Sequence, residues 1–167
     1  IVETGQEASA VLKVNVQQYN YETAWRFGNI EHMDIIKTEN WGWSGGPLAQ
    51  RENAYREYLY AGAGQNDITK GKVVGYVDIL YWNNEVTVTY VCDEGILLKE
   101  VHLWVGKTAL PVKGKSMTNA PGLFPWPNKK APGEWIGAPG AYTGWTITLN
   151  AGDFTTDRDG KIYVAAH

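Results

Sequence analysis

Cysteine is nearly absent from this chain. The one thiol, Cys92, leaves no intrachain disulfide and no cysteine-built zinc cluster. Three scattered histidines offer a zinc site little else. No apolar run approaches the ~18 residues of a membrane-crossing helix, so membrane insertion is not expected. A basic stripe is missing too. The fifteen Lys and Arg are dispersed, their densest set (Lys107 to Lys115, then Lys129 and Lys130) is broken by Pro, Gly and apolar residues, and the net charge is −3. Nucleic-acid binding needs such a stripe to displace counterions, and that class is set aside. Gly-x-Ser-x-Gly, phosphate-cradling and dinucleotide motifs do not occur, nor does an Asn-x-Ser/Thr sequon or a fixed-period repeat.

Phenylalanine is also scarce, with three copies against eight Trp and ten Tyr. The aromatics are therefore mostly those with a polar tip, which serve at surfaces and interfaces as well as in cores. At 167 residues the chain fits one domain, and a sizeable core is available without staples. The opening "IVETGQ" has no methionine and reads as a mature N-terminus or a trimmed one, which favours a secreted, extracellular protein.

The hydrophobic period is two almost throughout. In residues 9–22, Leu12, Val14 and Val16 alternate with Val11, Lys13 and Asn15, predicting a strand with one buried face. "AWRFGNIEHMDIIKTEN" reads as extended, with a helical turn possible at "IEHMDII". "NWGWSGGPLAQ" reads as a loop, and "REYLYAG" as a strand. The plainest unit is a three-stranded meander: Val73 to Tyr81, an Asn83-Asn84 turn, Glu85 to Cys92, and then Ile96 to Val105 after "DEG". Cys92 alternates with Val86, Val88 and Tyr90 and is expected to be a buried thiol. "GWTITLNAG" predicts a strand with Trp145, Ile147 and Leu149 on one side, and an Asp159-Gly160 turn closes the chain between two short strands. Eight to ten strands without a long helix predict an all-β domain over 1–167, an antiparallel β-sandwich or flattened barrel with long aromatic, Pro/Gly-rich loops.

Residues 59 to 167 carry a Tyr60-Ala61-Gly62 opening, a Glu100 to Gly106 strand of pattern Glu-x-His-Leu-x-Val-Gly, a Pro121 to Pro125 loop of pattern Pro-Gly-x-Phe-Pro, and a closing Ala165 to His167. This set resembles an uncharacterised extracellular β-module of secreted and surface proteins from bacteria and marine invertebrates. Size and aromatic content are also similar to small, sponge-type lectins. The resemblance implies an extracellular adhesive or ligand-binding role and brings no catalytic motif with it.

Residues 119–145 hold five of seven prolines and three of eight tryptophans. A long aromatic loop is usually functional, and an indole stacks well on the C–H face of a sugar. Trp126, Trp135 and Tyr142 could supply ring faces, with Asn128 and Glu134 as polar partners. The other reading is that these rings plug the core, as is expected of Trp145. Trp41 and Trp43, at i and i+2 beside glycines and Asn40, form a second candidate site, with subunit contact and internal packing as its alternatives. Glu100 and His102 on one strand face could serve as acid–base groups, though a structural pair is the commoner arrangement. Asp153, Asp157 and Asp159 form a weak calcium candidate, since a Gly-terminated hairpin explains them equally.

The expectation that follows is a non-catalytic lectin binding terminal sugars of glycans or glycoproteins, N-acetylhexosamines among them. No cofactor is implied, and avidity would come from homo-oligomerisation. The alternatives are a secreted carrier of an apolar ligand or pigment and an adhesive matrix protein.

Overall fold

The structure, a computed structural model, describes residues 20–127 and 133–167. The strand expected over Val11 to Val16 lies outside the described residues. The described chain forms β1 (Ala24–Arg26), β2 (Ile30–Glu31), a one-turn helix α1 (His32–Ile35), β3 (Trp43–Leu48), β4 (Tyr55–Ala61), β5 (Lys72–Trp82) and β6 (Glu85–Cys92). It continues through β7 (Leu103–Gly106), β8 (Val112–Lys113), β9 (Ser116–Met117), β10 (Glu134–Ala138), β11 (Ala141–Leu149) and β12 (Ile162–Ala166).

Two antiparallel sheets pack face to face as a β-sandwich. The larger runs β1-β4-β5-β6-β11-β10 and the smaller β2-β3-β12-β7, with β8-β9 a separate ribbon. Period-two alternation places the core. Val77, Ile79 and Tyr81 of β5, Val86, Val88 and Tyr90 of β6, and Trp145, Ile147 and Leu149 of β11 are buried on the inner face of the larger sheet. Leu103 and Val105 of β7 meet them, with Ile162, Val164 and Ala166 of β12. A second cluster lies on the other side of the smaller sheet, where Ala165 alternates outwards. Trp25 and Trp43 pack there with Leu110 and Phe124.

The β5–β6 hairpin turns on Asn83 and Asn84, both left-handed with φ of 51° and 61°, as the Asn-Asn pair predicts. The third strand of the expected meander is a different matter. The chain leaves β6 through Asp93 to Gly95 and crosses to the other sheet, so the neighbour of β6 is β11, and β7 pairs with β12. Val101, Leu103 and Val105 do share the buried face that their alternation indicates, whereas Leu97 is exposed.

Four further expectations are corrected. "NWGWSGGPLAQ" contains β3, an inner strand of the smaller sheet. Its glycines are there because the neighbours are close: a Cβ on Gly46 would stand 2.6 Å from the Tyr163 ring, and one on Gly45 2.7 Å from Arg26 Nη1. The 119–145 stretch is not all loop, since β10 and the start of β11 form a hairpin there with a bulge between Ile136 and Gly137. At the end of the chain only β12 is a strand; the residues before Asp159-Gly160 form turns and bends. Cys92 is half-buried, not fully so, and burial pushes its thiol pKa up, with Asp93 adding to the shift.

Candidate functional site

The expected ligand residues do not gather in one place. Trp43 and Trp126 are 1 % and 6 % exposed, and each is part of a core cluster. Trp126 is tied by its backbone to Leu103 of β7 (Leu103 N–H to Trp126 O, 2.9 Å), which draws its indole between the sheets. Neither ring presents a face to solvent, which removes both from the set that could stack on a ligand. Trp41 is half-buried and meets Trp43 edge to face at 5.5 Å, in an aromatic cluster with Phe27 and Tyr60. Asn40 is exposed, and its backbone carbonyl accepts a bond from Asn119 Nδ2.

Trp135 and Tyr142 are brought together. Trp135 lies directly opposite Trp145 across the β10–β11 ladder, and the bulge puts Tyr142 opposite Gly137, on the same face as Trp135. Their rings stand 4.9 Å apart with planes tilted by 31°. Both are half-buried, and Trp135 leans on the main core at the rim of the larger sheet, whose last strand is β10. Gly133 brings the chain onto this hairpin across the Trp145 indole, where a Cβ would fall 2.4 Å from the ring. Glu134 points to the opposite face, beside Thr146, and does not join the aromatic pair. Asn128 lies outside the described residues.

The calcium candidate resolves into turn chemistry. Asp157 Oδ1 accepts the backbone N–H groups of Asp159 and Lys161, and Asp153 Oδ2 accepts that of Asn150. Among the described residues no group of three or more His, Cys, Asp or Glu could hold a metal ion.

Two histidine pairs resemble catalytic geometry. His32 Nε2 lies 3.0 Å from Ser44 Oγ, with both side chains buried. Ser44 Oγ donates to Ala109 O at 2.6 Å, so its proton is already committed and His32 Nε2 must carry a proton of its own. An imidazole in that tautomer cannot take the serine proton. Burial also lowers the His32 pKa to about 4, and Nδ1 has no partner to orient it. The pair is a structural link between α1, β3 and the loop at Ala109.

The second pair is His102 and His167, with Nδ1 atoms 3.3 Å apart; Glu100 stands 3.4 Å from His102 on the exposed side. Backbone bonds in both directions between residues 102 and 167 extend the β7–β12 ladder at this point. His167 also packs edge to face on Trp25. Its burial, with His102 adjacent, lowers its pKa to about 4.

Sequence reading overlooked Arg26, which is 3 % exposed in β1 and meets no carboxylate within ion-pair distance among the described residues. It also passed over Tyr58 and Trp82, exposed on the outer face of the larger sheet. No described helix is long and apolar enough to cross a membrane. No protein family, curated protein or solved structure matches the chain.

Proposed function

We propose that this protein is a non-catalytic carbohydrate-binding protein that takes a terminal sugar against the Trp135–Tyr142 pair. The observation that carries this reading is the pair itself: two half-buried rings on the rim of a sheet, 4.9 Å apart with planes tilted by 31°. The ring face that this stack leaves open would offer apolar surface, and the contact between the two rings holds their side chains in place, so little entropy is lost on binding. The polar partners would be backbone groups of the β10–β11 hairpin and hydroxyls nearby. An acetamido methyl adds apolar contact, which favours N-acetylhexosamines. A platform this shallow binds weakly, so useful affinity requires several copies, and we propose a homo-oligomer in an extracellular setting. The resemblance of residues 59–167 to an extracellular β-module supports the same compartment.

A carrier of an apolar ligand is less well supported, because two clefts of the described surface carry several charged side chains in their linings. One holds Arg26, Arg51 and Arg56, and the other Lys107, Asp157 and Arg158.

A glycan array on the purified protein, followed by titration of tryptophan fluorescence with each hit, tests the proposal. Saturable binding that falls at least tenfold in Trp135→Ala and Tyr142→Ala, about 1.4 kcal/mol, is the expected result. A silent array on folded protein, or binding unchanged in both variants, would rule the site out.

A further inference from the structure

Among the described residues Arg26 is a buried cation with no carboxylate within ion-pair distance. Its Nη1 donates to Phe27 O at 3.2 Å and its Nη2 to Tyr55 O at 3.4 Å, both neutral carbonyls, and Nε has no partner. A guanidinium has five N–H donors, so most of its capacity is unused. Burial outweighs the support of the neighbouring acids, Glu57 and then Asp78, and neither reaches ion-pair distance. Asp78 is held by Arg56 through two bonds of 2.7 Å, and Glu57 is exposed and outside ion-pair distance. A buried charge left in this state is costly, and folded chains normally pair it.

The guanidinium borders a cleft of about 340 Å³ that opens beside β1, where β4 runs on past the last residue that β1 pairs with. Gly45 leaves room for Nη1: a Cβ there would fall 2.7 Å from it, and the guanidinium would have to shift. At the mouth, Arg51 is fixed over the Tyr55 ring at 3.4 Å, by bonds from Nε and Nη2 to the carbonyls of Asn53 and Ala54. With Arg56 cancelled by Asp78, the cleft keeps the charges of Arg26, Arg51 and Glu57, a net +1. That balance suits a monoanion better than a phosphate dianion. The volume is at the lower end for small-ligand sites, about 300–1,000 Å³, and matches a ligand of monosaccharide size.

We infer that this cleft is a binding site for a small carboxylate-bearing ligand, with the carboxylate against Arg26 and Arg51. The N–H groups of Nη1 and Nη2 that are not bonded to Phe27 O and Tyr55 O would donate to the two carboxylate oxygens. The site is at the opposite edge of the larger sheet from Trp135 and Tyr142, so it stands whether or not those rings bind sugar.

Sodium glucuronate is the probe, with glucose as the neutral control and sulfate as the competing anion, read by calorimetry and by thermal melting of the full chain. The expected result is saturable glucuronate binding with a rise in Tm of several degrees, no response to glucose, and a weaker response to sulfate. Arg26→Met, which removes the unpaired charge at similar volume, should fold and lose the glucuronate response. Arg51→Gln, an exposed change, should keep the fold and weaken binding about tenfold. Trp135→Ala should leave the response intact. If Arg26→Met does not fold, the Arg51→Gln comparison decides. Absence of glucuronate binding, binding unchanged in the arginine variants, or tighter binding of sulfate would overturn the assignment.

Discussion

The Nδ1 atoms of His102 and His167 face each other at 3.3 Å, a distance at which one must be the donor and the other the acceptor. Two protonated rings cannot keep that contact. His167, about 4, is lowered first by burial and then by His102; His102 is lowered by burial, which Glu100 partly offsets.

These residues make the fold acid-sensitive in a defined window. His32 and His167 both titrate near 4 in the folded chain against about 6.5 unfolded. Below pH 6.5 the unfolded chain therefore binds more protons, and stability falls with pH. The stability is fully present above pH 6.5 and is lost progressively down to about pH 4. For His32 the whole shift corresponds to about 3 kcal/mol. Urea unfolding between pH 8 and pH 4 should show a flat region and then this decline. Unchanged midpoints from pH 7 to pH 4.5 would contradict the assignment.

Ser44 is a link and not a nucleophile. Ser44→Ala leaves His32 Nε2 and Ala109 O without their partner, at about 1–3 kcal/mol for each buried group left unsatisfied. Denaturant titration should report a loss of that order. Serine-directed fluorophosphonates should not label the folded protein, and stoichiometric labelling at Ser44 would refute the structural role.

Tryptophans of the same stretch should separate by stability. Trp145→Ala, at a fully buried position, should cost about 3–5 kcal/mol. Trp135→Ala, on the rim, should cost markedly less in the same melting assay. Gly133→Ala tests the contact from the other side: φ there is +70° and the added Cβ meets the Trp145 indole, so about 2–4 kcal/mol should be lost. Equal losses for Trp135 and Trp145 would place both rings in the core.

Much of the larger sheet is legible in the sequence because its strands alternate cleanly. Val86, Val88 and Tyr90 face in, Thr87 and Thr89 face out, and Asn83-Asn84 marks the turn. The smaller sheet is less so. β3 reads as a loop because its glycines answer to neighbours remote in sequence, Arg26 and Tyr163, and no local pattern records them. The crossover after β6 is hidden for a similar reason: Leu103 and Val105 alternate as well for one sheet as for the other. Of the candidate site, the sequence indicates Trp135 and Tyr142 as aromatic neighbours but not that the bulge would align them. Arg26 carries no signal at all in "AWRFG", since an unpaired buried charge is defined by what fails to come near it.

Gly45 of β3 pairs with Val164 of β12, so the smaller sheet joins segments from nearly opposite ends of the described chain. The β5–β6 hairpin can form as soon as its own residues are made, but β3 has no β12 beside it until the chain has run on through nine further described strands, β4 to β12. Contacts of such long sequence separation form slowly. Until then β3, with Trp43 at its head, has β2 on one edge and nothing on the other, and an open strand edge of that kind is a template for pairing with another chain.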